Sequence, residues 1–197
     1  MLVINLYGAA GTGKSTTAAG LFHLIRHYTN TNCELVTEFA TDLCFEQAKP
    51  MLQDQIYLVG NQYHRLWRLR QLGVEVAITD SPLGIALIYA QRIGCRYRKE
   101  LTALVKKFWE EDRQVNIRLS IPDYRRKIYK GVDRWSKPSD WFEEGLNTLP
   151  VLYHLHQGFG PMAAENIFGH LLAQRLLGRD HGSTKLFDTV GEWRGQP

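Results

Sequence analysis

Gly8, Gly13, Lys14 and Ser15 stand at the spacing G-x-x-x-x-G-K-[ST] without a mismatch. That pattern is suited to holding a polyphosphate. Glycines let backbone N–H groups turn inward around an anion, because no Cβ obstructs them. A helix opening directly after the loop adds unpaired N–H donors and the positive end of its dipole. Gly8, Gly11, Thr12, Gly13, Lys14, Ser15 and Thr16 form the expected phosphate-contacting set. Lys14 reaches the β- and γ-phosphates, and the Ser15 hydroxyl can hold Mg²⁺. A glycine-rich turn arising by chance is the competing reading. The flanks argue against it: a short apolar run, Leu2 to Tyr7, precedes the loop and a helical pattern, Ser15 to Tyr28, follows.

Other chemistry-bearing residues also sit where apolar runs end. Asp80 closes VEVAIT and is followed by Ser81-Pro82. A carboxylate there can hold Mg²⁺ through water, opposite Ser15; otherwise it caps the next helix. Glu38 closes a second run, and Asp42 lies four residues on. Either can accept the proton of an attacking hydroxyl or orient it. The bland reading is an exposed loop acid. A basic run includes Arg118, Arg125, Arg126, Lys127, Lys130 and Arg134. Arginine forks there, Arg125 and Arg126 foremost because they follow Pro122, suit a lid over transferring phosphates. A solvated charged face is the usual fate of such a run.

The remaining candidates are weaker. Gln62 and Arg65 lie about one turn apart on a long helix, beside Tyr57, Tyr63 and Trp67. A polar pair there can face an acceptor, while most of the aromatics belong to the core. His154 and His156 share one face of a short strand, and two histidines without a third ligand read as structural. Gly158-Phe159-Gly160-Pro161 can form a loop against a base.

These residues need strands to deliver them to one edge. Strands are expected at Leu2 to Tyr7, Glu34 to Thr37, Val74 to Thr79, Val115 to Ile121 and Val151 to Leu155. Helices are expected at Ser15 to Tyr28, 42 to 51, Asp54 to Leu72, Leu83 to Ile93, Tyr97 to Arg113, from Ser139 or Asp140 to before Pro150, and Pro161 to Leu177. Glu143 stands where a capping box with Asp140 needs it. Leu186 to Val190 reads as an extra edge strand. Strands alternating with helices predict an α/β protein whose parallel sheet is covered on both faces. Ligands of such sheets bind at the carboxyl ends of the strands.

The chain has 197 residues, which suits one domain, 1–178, with a basic lid segment near 122–138 and a tail, 179–197. No run approaches the ~18 apolar residues of a membrane span, and the apolar start lacks a basic leader. Cys33, Cys44 and Cys95 form neither a disulfide framework nor a metal pattern, so a cytoplasmic setting is expected. A net charge of +4 fits a site for polyanionic nucleotides and is too small to establish nucleic-acid binding.

YGAAGTGKSTTA, VTEFATDL, the helix QIYLVGNQYHRLWRL and VAITDSPL together resemble the NadR-like P-loop kinases over residues 1 to 95. That group includes phage-encoded ATP-binding proteins and is related to nucleoside and nucleotide kinases. The resemblance implies a three-layer P-loop NTPase fold with a nucleoside-monophosphate-kinase-like core. Its five-stranded parallel sheet would have the order 2-3-1-4-5. The resemblance also implies ATP and Mg²⁺, with Lys14 and Ser15 at phosphate and metal, Asp80 as the Walker-B-type acid, and Glu38 near the acceptor. The stretch IPDYRRKIYKGVDRW departs from the family's lids.

The function expected is transfer of the γ-phosphoryl of ATP to a nucleoside or nucleotide. Lys14, Mg²⁺ and the lid arginines would position and stabilise it. Two alternatives stay open at this level. One is a kinase acting on a nucleic-acid hydroxyl, at a 5′ end or on a hydroxymethylated base. The other is an ATP-binding regulatory switch. A homodimer is left open, and no membrane partner is expected.

Overall fold

A computed structural model describes residues 1–9, 11–120, 140–149, 154–157 and 160–177. The sheet is organised around β1 (Leu2–Tyr7), whose six residues are all buried. A strand with apolar side chains on both faces belongs in the middle of a parallel sheet. β1 pairs in parallel with β3 (Val76–Thr79) on one side and β4 (Arg113–Ser120) on the other. β2 (Cys33–Val36) lies outside β3, giving the core order 2-3-1-4. β5 (His154–Gln157) pairs beside β4, with Leu119 opposite His156.

Side-chain alternation along β1 builds two cores. Leu2, Ile4 and Leu6 face α1 (Lys14–Tyr28) and α7 (Gly160–Ala173). These helices meet closely at Gly20, where a Cβ would stand 3.0 Å from that of Ala164. Val3 and Tyr7 belong to the other core, which draws on four helices: α3 (Gln55–Gln71), α4 (Leu83–Arg92), α5 (Arg98–Glu110) and α6 (Asp140–Thr148). Among the described residues, no helix is long and apolar enough to cross a membrane.

Several boundaries differ from the sequence reading. The helix expected over 42–51 is instead α2 (Phe39–Phe45) followed by a 3₁₀ turn, Lys49–Gln53. Pro50 does not stop a helix; it stands in the first turn of the 3₁₀ segment, where its missing N–H has no helical partner to lose. α5 ends at Glu110 because the chain must already be extended at Arg113, whose N–H donates to Met1 O at 3.1 Å. The fifth strand runs to Gln157 rather than ending at Leu155. α7 ends at Ala173; the Leu176 N–H folds back onto Leu171 O at 2.9 Å around Arg175, which has φ +53°. Gly160 and Pro161 open α7. The basic run 122–138, with Arg125 and Arg126, lies outside the described residues. So do the tail 179–197, with its expected edge strand, and Gly158-Phe159.

Candidate phosphate and acceptor site

Because the strands run parallel, β1, β2 and β3 deliver their following loops to one edge. β1 leads into the glycine loop. Gly8, Gly11 and Gly13 take φ of +154°, +79° and +80°, conformations that L side chains rarely adopt. Space also requires glycine at position 8, since a Cβ there would stand 2.6 Å from Thr12 Oγ1 and 3.2 Å from Leu119 O. Thr12 is buried and donates its hydroxyl to Ala9 O at 2.9 Å, closing the loop on itself. Gly13 caps α1, which has no acidic residue in its first turn to compete with an anion. Ser15 and Thr16 are exposed at the helix start.

Lys14 folds back over the loop. Its Nζ donates to Gly8 O at 2.9 Å and Ala9 O at 3.1 Å. Burial pushes the ammonium below its ordinary value of 10.5, and the carboxylates of Glu38, Asp80 and Glu143 act against that shift. Three acids from three different elements therefore converge on this lysine.

Asp80 follows β3 and is only 8% exposed. Among the described residues its buried Oδ1 has no hydrogen-bond partner. A buried carboxylate oxygen left unsatisfied is costly, and a cation is the partner that best removes the cost. The Asp80 carboxylate is thus the kind of oxygen donor that a divalent cation takes up.

Glu38 and Asp42 meet different fates. Glu38 precedes α2. Its carboxylate accepts from Thr41 Oγ1 at 2.8 Å and, at the long distance of 3.5 Å, from Ser81 Oγ. Asp42 is instead ion-paired with Arg65 of α3. Arg65 also donates to Thr37 O at 3.1 Å and Thr37 Oγ1 at 3.0 Å. Gln62, one turn away, is buried rather than facing a cleft. The expectation of a polar acceptor wall on α3 is thus corrected for Gln62: both residues brace the end of β2. Among the α3 aromatics, Tyr63 stacks on Phe108 of α5 with centroids 3.7 Å apart and belongs to helix packing. Trp67 stacks on His64 at the surface, and Tyr57 meets Phe39 edge-on at 5.5 Å.

Sequence reasoning missed the contribution of α6. Glu143 was legible only as a capping-box partner, yet its Oε2 accepts from Arg118 Nη2 at 2.6 Å and its charge reaches Lys14. Arg118 Nη1 also donates to Asn147 Oδ1 at 2.7 Å. Arg118 therefore ties β4 to α6. The same first turn carries Trp141, which meets Tyr89 of α4 edge-on at 5.6 Å and lies under the Arg92 guanidinium. Burial and the nearby Glu38 carboxylate raise the Tyr89 phenol above its usual value. A partly exposed aromatic face thus stands beside Glu38. No short-range pattern links positions 89, 118, 141 and 143, so nothing in the sequence marked them as one group. His154 and His156 lie in register with Ile117 and Leu119. Among the described residues, no group of three potential metal ligands is found.

No protein-family model matches the chain, and no curated protein does. Solved structures do. A NadR protein in complex with NR superposes with a TM-score of 0.62 at 17% identity, covering 92% of this chain and 52% of that one. A NadR protein in complex with NAD and AMP-PNP gives 0.59 at 17%, covering 92% and 51%. The chain thus has a NadR-like α/β fold and spans about half the length of these neighbours.

Proposed function

We propose that this chain is an ATP- and Mg²⁺-dependent phosphotransferase with a nucleoside-monophosphate-kinase-like core, moving the γ-phosphoryl of ATP to a nucleoside or nucleotide. The observation that carries this reading is the convergence of Lys14, Glu38 and Asp80, with an unsatisfied Asp80 oxygen, beside a loop shaped for polyphosphate. The ligands named with the neighbours, AMP-PNP, NAD and NR, agree with such a site.

In this reading the glycine-loop N–H groups and the α1 N-terminus bind the β- and γ-phosphates. Lys14 leaves the loop carbonyls and spans the same oxygens. Ser15 and Asp80 would hold Mg²⁺, which would supply neutralisation of the charge that develops on the transferring phosphates. Glu38 accepts the proton of the acceptor hydroxyl as its oxygen bonds to the γ-phosphorus. The bond from that phosphorus to the β–γ bridging oxygen breaks, and ADP leaves with the electron pair. Arg125 and Arg126 are assigned, on sequence grounds, to the lid that stabilises the transferring group. The Tyr89–Trp141 face offers a stacking surface for a planar base near Glu38.

An acceptor screen tests the proposal. Protein, γ-labelled ATP and Mg²⁺ are incubated with nucleosides, nucleoside monophosphates, and single- and double-stranded DNA carrying free 5′ hydroxyls. Label on a small molecule supports the reading and names the acceptor. Label confined to DNA, or slow phosphate release with no labelled product, overturns it.

A further inference from the structure

Gln62 lies on the buried stripe of α3 with Val59 and Leu66, and is 5% exposed. An aliphatic side chain would serve packing better there, because a buried amide is tolerated only when its polar atoms are satisfied. Its Oε1 accepts the Phe39 N–H at 2.9 Å, and its Nε2 donates to Thr37 O at 3.2 Å. Those two groups belong to the peptide units on either side of Glu38. One side chain therefore pins both peptide planes that orient the Glu38 carboxylate. Nε2 also reaches Thr79 Oγ1 at 3.4 Å, and the same hydroxyl accepts the Ser81 N–H at 3.1 Å. Thr79 and Ser81 flank Asp80, so the connection continues into the turn that presents that carboxylate.

We propose that Gln62 is a positioning residue that couples the placement of Glu38 to that of Asp80. The role rests on the reading of Glu38 as the acceptor-side group. Glu38 immediately precedes α2 and Asp80 follows β3, with no backbone hydrogen bond between their loops among those described. Beside the long Ser81 Oγ contact to Glu38, Gln62 supplies a buried link from a third element. It touches neither substrate nor metal and acts through the backbone at both acids.

The test compares Gln62→Leu, Gln62→Glu, Thr79→Val, Glu38→Gln and the double variant Glu38→Gln/Gln62→Leu, using the acceptor found by the screen. Gln62→Leu is expected to lower kcat for transfer roughly 10- to 100-fold, the scale of a small misplacement of reacting groups. KM for ATP should stay within about 3-fold, a loss in turnover rather than uniform binding. Gln62→Glu keeps the acceptor for the Phe39 N–H and should recover part of the loss. Thr79→Val breaks only the Asp80 arm and provides the measurement if Gln62→Leu does not fold; it should lower kcat in the same direction. The double variant should lose less than the product of the two single losses, because the Glu38 arm of Gln62 has nothing left to position and only its Asp80 arm still counts. Multiplicative losses in the double variant overturn the proposal. So does wild-type turnover in folded Gln62→Leu or Thr79→Val, or an equal loss of ATP binding and transfer. Full activity of Glu38→Gln overturns the acceptor-side reading of Glu38 instead, a separate result.

Discussion

Arg65 pairs with Asp42, and that single contact separates two carboxylates four residues apart in the chain. Asp42 is neutralised within the brace between α3 and the end of β2. Glu38, held by hydroxyls, keeps its negative charge directed toward Lys14. Asp42→Asn should therefore leave transfer within about 3-fold and cost at most about 1 kcal/mol of stability, as for a partly exposed ion pair. Glu38→Gln should lower kcat on the order of 10²-fold, the usual contribution of an acid or base group, with ATP affinity little changed. Steady-state kinetics on both variants decide it. The reverse ranking removes Glu38 from its assigned role.

In the proposed reaction Lys14→Ala removes the side chain assigned to the γ-phosphate. A loss on the order of 10²- to 10³-fold in kcat is expected, with the circular dichroism spectrum retained. Among the described residues the ammonium donates to loop carbonyls alone, so its removal should not unfold the chain. Undiminished turnover would show that the loop is not a catalytic phosphate site.

Asp80→Asn should raise the Mg²⁺ concentration for half-maximal activity by about 10-fold or more. In EDTA the same variant should melt at or above the temperature of the parent, because it removes a buried carboxylate whose Oδ1 has no partner. A pronounced drop in melting temperature without metal would mean that the charge is satisfied within the protein, and an unaltered Mg²⁺ titration would exclude it as a ligand.

Gly145→Ala tests the seat of α6. Its Cβ would stand 2.4 Å from Ile88 Cγ2 on α4, closer than any relaxed contact. The overpacking should cost roughly 1–3 kcal/mol. It should also disturb transfer more than ATP binding, since α6 carries Trp141 and Glu143. A chemical melt with unchanged midpoint would contradict the close approach of α6 to α4.

Cys33 opens β2 and is fully buried in the core shared with α1, and burial, with Glu34 nearby, pushes its thiol up to about 12 from 9.0. A raised folded value means the native state holds its proton more tightly than the unfolded chain. The corresponding stability is complete below pH 9 and is lost as pH rises from there toward 12. At pH 8 an alkylating reagent should label the half-buried Cys44 and Cys95 while sparing Cys33. Equal labelling of all three in folded protein would refute the burial.

Much of this molecule is written locally. The loop Gly8 to Ser15 announces itself because its chemistry needs fixed residue types at fixed covalent spacing. The alternation of strands and helices follows from apolar period, and with it the arrival of Glu38 and Asp80 at one edge of a parallel sheet. Element ends were less legible. Pro50 suits the start of a turn as readily as the end of a helix, and α5 stops where β4 must begin pairing with β1. The finer roles came from tertiary contact alone. Arg118 was indistinguishable from the basic run until Glu143 and Asn147 of α6 held it. Gln62 and Arg65 were visible as a polar pair on one helix. That one would be buried against the peptide units around Glu38, and the other spent on Asp42, depended on partners 23 to 28 residues away. Periodicity encodes which face of a helix is apolar. Which polar atom meets which across two elements is set by how the elements pack, and only the folded chain decides that.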